Sequence, residues 1–201
     1  MNYYQEITLL PDAEITLGFI WQKLYQQIHL ALVENKTGEN QSAVAVGFPQ
    51  YGSRGFPLGS KLRLFARTEE TLRQLKTESW LSRLTDYCHV KSIRPVPEGV
   101  SQYVCFKRKQ FKSNLLKEAQ RRAKYKNETL EEALQHFQHY EKECELPYIN
   151  MTSLSMQKAD SKASRQYKLF IRREISDAPL QGEFNCFGLS KAKNTASVPS
   201  F

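Results

Sequence analysis

The sequence predicts an α+β fold, and three observations carry that prediction. Residues 2–96 alternate two patterns, apolar residues at every second position and apolar residues at every third or fourth, in the order strand, helix, strand, strand, helix, strand. From about residue 98 the order changes to extended runs on either side of helical, strongly cationic sequence. A hydrophobic content of 40%, with 10 Tyr and 11 Phe, is enough to fill a core behind such elements. The first order is that of the ferredoxin-like βαββαβ unit, an antiparallel four-stranded sheet with two helices on one face. The chain therefore divides into a ferredoxin-like domain over 1–97 and an α+β domain over 98–201, the latter holding a basic helix and C-terminal strands.

Asn2–Leu10 places Tyr3, Gln5, Ile7 and Leu9 on one side of a strand that Pro11-Asp12 ends. Leu17, Ile20, Trp21, Leu24, Ile28 and Leu32 fall at helical spacing, which predicts a helix over about Thr16–Glu34. Ala43–Phe48 and Lys61–Ala66 read as strands joined through Gly52, Gly55, Pro57 and Gly59. Thr68-Glu69-Glu70 opens a second helix whose buried side takes Leu72, Leu75, Trp80, Leu81 and Leu84. Val90–Val96 is the fourth strand, ended by Pro97 and Gly99. Beyond it Gln102–Phe111 is extended, Ser113 caps a basic helix running to about Lys126, and Asn127 interrupts. Thr129-Leu130-Glu131-Glu132 is a capping box that starts a further helix to about Glu145, with Leu130, Ala133, Leu134 and Phe137 inward. Tyr148–Ser155, Tyr167–Arg173 and Glu183–Leu189 are closing strand-like runs.

Charge is distributed unevenly. The chain has 29 Lys and Arg against 21 Asp and Glu, a net charge of +8. Residues 107–126 alone hold nine cations, among them Lys112, Lys117, Arg121, Arg122 and Lys124, against the single Glu118, so the whole excess lies there. A local surplus of this size favours a polyanion, because neutralised phosphates release condensed counterions. No apolar run approaches a membrane span, and MNYYQEITLLPD lacks the charged-then-apolar pattern of a signal peptide, so a cytoplasmic protein is expected. Cys88, Cys105, Cys144 and Cys186 form no C-x-x-C pair, which argues against a zinc knuckle or a disulfide framework and for free thiols in a reducing compartment.

A few residues carry chemistry. His29 lies at the edge of the first helix's apolar stripe, where a side chain is half exposed. Imidazole exchanges protons near neutral pH, which suits RNA cleavage by the RNA's own 2′-hydroxyl without a metal. Ser153, in TSLSM, lacks a G-x-S-x-G elbow and so is no hydrolase nucleophile, although a hydroxyl that positions a ribose needs no elbow. The carboxylates show no D-x-D spacing, and His136 and His139 have no further ligands in reach, so neither a metal nor another cofactor is expected. Arg108 and Gln110 alternate along an extended segment and point to one side, where Arg suits guanine and Gln suits adenine. Tyr167, in QYKLFIRR, is a candidate base-stacking ring.

Taken in order, QIHLALV (27–33), KRKQFKSN (107–114), LPYINMTSLS (146–155), YKLFIRR (167–173), FNCFGLSK (184–191) and the terminal VPSF resemble the repeat-processing endoribonuclease family of type I-F CRISPR systems. The resemblance runs nearly the full length. It implies a metal-independent endoribonuclease that binds the repeat hairpin, cuts pre-crRNA at the 3′ base of the stem to leave a 2′,3′-cyclic phosphate, and stays on the product with other subunits of a crRNA-guided complex. By position His29 matches the family's catalytic histidine, and Ser153 matches the serine that orients the attacking 2′-hydroxyl. Arg108 and Gln110 match the pair that reads the lowest base pairs, and Tyr167 stands where a phenylalanine stacks at the cleavage end.

The resemblance is not complete. Phe187 stands at the place of an active-site tyrosine, so a hydroxyl contact from there is absent. In the helix that the family lays in the hairpin's major groove, Gln120 and Lys124 replace arginines, and lysine keeps the charge but loses the bidentate fork. The alternative is a subunit that caps a guide-RNA hairpin without cutting it. A DNA-binding regulator is a more distant one.

Overall fold

The structure, a computed structural model, describes residues 1–111, 115–137, 145–153 and 165–201, with the backbone alone at 115 and 165. It is a mixed α+β fold built on two antiparallel sheets. The first sheet is made by β1 (Tyr3–Leu9), β2 (Ala45–Gly47), β3 (Lys61–Ala66) and β4 (Cys88–Val90) in the order β2-β3-β1-β4, and β5 (Arg94–Pro95) also pairs with β1. The second is made by β6 (Tyr103–Lys109), β7 (Tyr148–Ser153), β8 (Arg165–Ser176) and β9 (Val198–Pro199) in the order β7-β8-β6-β9.

β1 is central to its sheet and is buried on both faces. Gln5, Ile7 and Leu9 are buried as the alternation predicts. Glu6, on the other face, is buried too, because Lys61, Arg63 and Lys91 close over its carboxylate at 3.3, 2.9 and 2.7 Å. α1 (Leu17–Glu34) follows its periodicity: Ile20, Trp21, Leu24, Ile28 and Leu32 are buried, joined by Tyr25 and Ala31. The Trp21 indole N–H donates to the Gly59 carbonyl at 2.8 Å, so its one polar atom is satisfied.

Three expected elements differ. The second helix is broken into α2 (Glu69–Gln74) and α3 (Thr77–Trp80), because Lys76 takes a left-handed conformation at φ 51°. Val90–Val96 is not one strand, since β1 pairs separately with Cys88–Val90 and Arg94–Pro95. Glu183–Leu189 forms a loop rather than a strand, tied by isolated bridges from Phe184 to Ser42 and Ser190 and from Ser190 to Lys107. In that loop Gly188 has φ 70°, and a Cβ there would collide with Val46, whose N–H donates to the Gly188 carbonyl at 2.8 Å.

α4 (Leu115–Lys126) ends at Asn127, left-handed at φ 54°. α5 (Leu130–Gln135) opens on the predicted capping box, with the Thr129 and Glu132 side chains each accepting from the other's backbone N–H. α5 buries Ala133, whereas Leu130, expected inward, is 39% exposed. The helix expected to run to about Glu145 ends at Gln135, with His136 and Phe137 in a turn, while 138–144, the cap at Ser113 and the stretch 157–164 lie outside the described residues. One apolar cluster joins Trp21, Ile28 and Leu64 of the first sheet and helix to Phe106, Met151, Ile171 and Leu189. Among the described residues no helix is long and apolar enough to cross a membrane.

Candidate active site and nucleic-acid interface

α1, β6, β7–β8 and the 183–190 loop meet around His29. The position beside fully buried Ile28 leaves the imidazole half-buried on the flank of α1. Its Nδ1 lies 2.8 Å from the Cys186 carbonyl oxygen. A carbonyl only accepts, so the hydrogen is assigned to Nδ1 and the lone pair of the neutral ring falls on Nε2. The Phe187 ring lies flat on the imidazole, with centroids 4.1 Å apart and planes within 1°. Burial pushes the His29 pKa below its ordinary 6.5; the Cys186 carbonyl opposes this, and the Arg108 charge adds to the lowering. Burial therefore favours the uncharged ring.

The loop is held so that this geometry persists. The Tyr25 hydroxyl donates to the Phe187 carbonyl at 2.8 Å. Burial, with Tyr167 adding, raises the Tyr25 phenol well above its usual range, so it stays a donor. The Asn185 side-chain oxygen accepts the N–H of Phe187 at 2.8 Å and of Leu189 at 3.3 Å. Arg108 is half-buried, and its guanidinium carbon lies 5.1 Å from the Phe187 centroid and 5.6 Å from that of Tyr167. Two aromatic neighbours hold a cation that would otherwise sweep freely. Gln110, two residues on, is exposed just beyond β6.

Ser153 is the last residue of β7, half-buried and in register with Arg165 on β8. The N–H of its neighbour Thr152 donates to the Gln26 side chain at 3.0 Å, and Gln26 precedes His29 by three residues on α1. The end of β7 is thus tied to the helix that carries the histidine. Tyr167, opposite Met151, is half-buried.

α4 presents Lys117, Gln120, Arg121 and Lys124 to solvent and turns the fully buried Ala119 inward, where it packs on α5. Arg121 stays outward at 77% exposure while contacting Glu118 at 3.2 Å. Arg122 is turned toward the α4–α5 corner, its Nε 2.7 Å from the Glu128 carboxylate. It joins α4 to the turn that follows it. Lys112 lies outside the described residues.

Sequence reasoning did not anticipate the Cys186 carbonyl, Tyr25, Gln26 or Asn185. A signal existed only for Tyr25, four residues after Trp21 on the buried stripe. A backbone carbonyl has no side-chain signature, and its partner lies 157 residues away.

A half-buried imidazole near an arginine, in a chain whose cationic excess is gathered in one segment, is a combination found in proteins that handle nucleic acid. The model for the CRISPR-associated protein family Cas_Csy4 matches residues 4–201, and the chain belongs to that family. A protein from Escherichia coli strain UTI89, named CRISPR-associated endonuclease Cas6/Csy4, is 32% identical over 203 residues that span 100% of both chains. A Pseudomonas aeruginosa strain UCBPP-PA14 protein of the same name is 29% identical over 197 residues, covering 95% of this chain and 96% of its own. Among solved structures, one described as an RAMP protein binding different RNA substrates aligns over 98% of this chain and 99% of its own, at TM-score 0.36 and 12% identity.

Proposed function

We propose that this protein is an endoribonuclease of CRISPR RNA processing that binds the repeat hairpin and cleaves pre-crRNA at the 3′ base of its stem without a metal ion. One observation carries this reading: the His29 Nδ1 is committed to the Cys186 carbonyl, which leaves Nε2 for substrate, and Arg108 shares the Phe187 ring with it. A neutral imidazole so fixed accepts a proton from a ribose 2′-hydroxyl. The 2′-oxygen forms a bond to the adjacent phosphorus as the P–O5′ bond breaks. The products are a 2′,3′-cyclic phosphate and a strand whose 5′-oxygen takes up a proton. Arg108 supplies positive charge where the phosphorane's charge develops.

The remaining residues divide the work. Ser153, on the strand end tied to Gln26, orients the 2′-hydroxyl. Arg108 and Gln110 read the lowest base pairs, and Tyr167 stacks at the cleavage end of the stem. Lys117, Gln120, Arg121 and Lys124 bind the stem along α4, Lys112 adds its charge to the same stem, and Arg122 contributes less while paired to Glu128. The protein then remains on the mature crRNA beside other subunits of a type I-F complex. Antiparallel pairing in the order β2-β3-β1-β4 supports a ferredoxin-like domain over 1–97.

The test incubates the protein with its repeat RNA in EDTA and analyses the ends of the products. Cleavage to a cyclic phosphate is expected. Tight binding without cutting would leave the non-cleaving hairpin-binding subunit, a reading to which Phe187, lacking a hydroxyl, is relevant. Cutting that EDTA abolishes would overturn the histidine mechanism.

A further inference from the structure

Tyr125 is the most solvent-exposed large apolar side chain among the described residues, at 84%. A ring left in water forgoes the gain from burial, and nothing within α4 requires one there, since the buried side of the helix is turned toward α5. Cations predominate around it, although Glu118 and Glu128 pair with Arg121 and Arg122. The Lys126 ammonium lies 5.7 Å from the ring centroid, Lys124 adjoins it, and Arg121 precedes it by one turn on the exposed face. An exposed ring among cations suits unpaired nucleotides, which offer a phosphate and an open base face together. An apolar protein surface would gain little from so many charges.

Place along the helix narrows the choice. α4 begins six residues after Lys109, so its N-terminal end is tethered to the strand carrying Arg108. Tyr125 lies ten residues further along, about 15 Å at 1.5 Å per residue. In a stem that starts at Arg108 and follows α4, the bases beside Lys117 and Arg121 are paired and already stacked on one another. The first free base face comes where pairing ends.

We propose that Tyr125 stacks on an unpaired base of the hairpin's apical loop, so that the protein senses the loop as well as the stem. This rests on the hairpin-binding reading above. The test compares wild type, Tyr125→Ala and Tyr125→Phe on a repeat hairpin and on the same stem closed by an abasic loop. Alanine favours the helix, so the Ala variant keeps α4 intact. Wild type and Tyr125→Phe are expected to prefer the natural loop by about 5- to 150-fold, the range of one base–aromatic stack. Tyr125→Ala is expected to lose that preference while binding the abasic hairpin as wild type does. Equal weakening on both RNAs, or no change on either, overturns the proposal; a wild type that binds neither hairpin overturns the hairpin reading instead.

Discussion

Acidification tests the structure at Glu6. This carboxylate is 4% exposed on central β1 and is ringed by Lys91, Arg63 and Lys61. Desolvation acts to raise its pKa, but the hydrogen bonds from Lys91 and Arg63, with Lys61 adding, outweigh it and lower the value from 4.5 to about 2. A carboxylate whose folded-state pKa is depressed contributes stability above its unfolded-state value and loses it as pH falls toward the folded one. At about 1.4 kcal/mol per pH unit, the difference between 4.5 and about 2 amounts to roughly 3 kcal/mol at pH 7. By linkage, about 1.4 kcal/mol of that remains at pH 3. Urea unfolding of wild type and Glu6→Gln at pH 7, 5, 4 and 3 isolates the effect, because other carboxylates titrate alike in both proteins. The variant is expected to be less stable by about 3 kcal/mol at pH 7, with the gap at least halved by pH 3. A gap that is constant over this range would show that Glu6 is not held as an anion, and the ion cluster would then be incidental to folding.

Two further predictions concern the reaction. In the free protein His29 titrates below its ordinary 6.5, so kcat/KM should fall only in acid, with its midpoint under that value and a plateau across neutral pH. A midpoint above 6.5 would contradict the burial seen at the ring, while His29→Ala should abolish cutting and leave hairpin affinity near wild type. Arg108→Ala should reduce discrimination between stems that differ in the bottom base pair by about 1–3 kcal/mol, measured by competition binding. A loss that is uniform across stems would make Arg108 a phosphate contact.

The elements most legible in the sequence were those whose signal is local. α1 and β3 fall within a residue of their predicted bounds, because long periodic runs and adjacent breakers define them. The capping box at Thr129 forms as read, since its reciprocal bonds need only residues 129 and 132. The break at Lys76 was hidden, because lysine carries no preference for a left-handed backbone. Glu183–Leu189 has the composition of a strand, but its backbone hydrogen bonds go to scattered partners, among them Ser42, Val46 and Asn194, rather than along one neighbouring strand. The sequence marked His29, Arg108 and Phe187 singly. Their meeting was invisible, because it depends on packing between segments far apart in the chain. Arg122 shows the converse: a cation counted toward the ligand-facing charge is partly committed to Glu128.

The hydrogen bond between His29 and the Cys186 carbonyl also orders events in time. His29 is made well before Cys186 and Phe187, since 157 residues separate it from its carbonyl partner. Until those residues are made, the imidazole lacks both the Cys186 acceptor and the Phe187 ring that lies flat on it. The Nδ1 partner that fixes the tautomer comes only with the 183–190 loop. A chain that has not yet reached this loop therefore carries His29 without the two contacts that fix its ring.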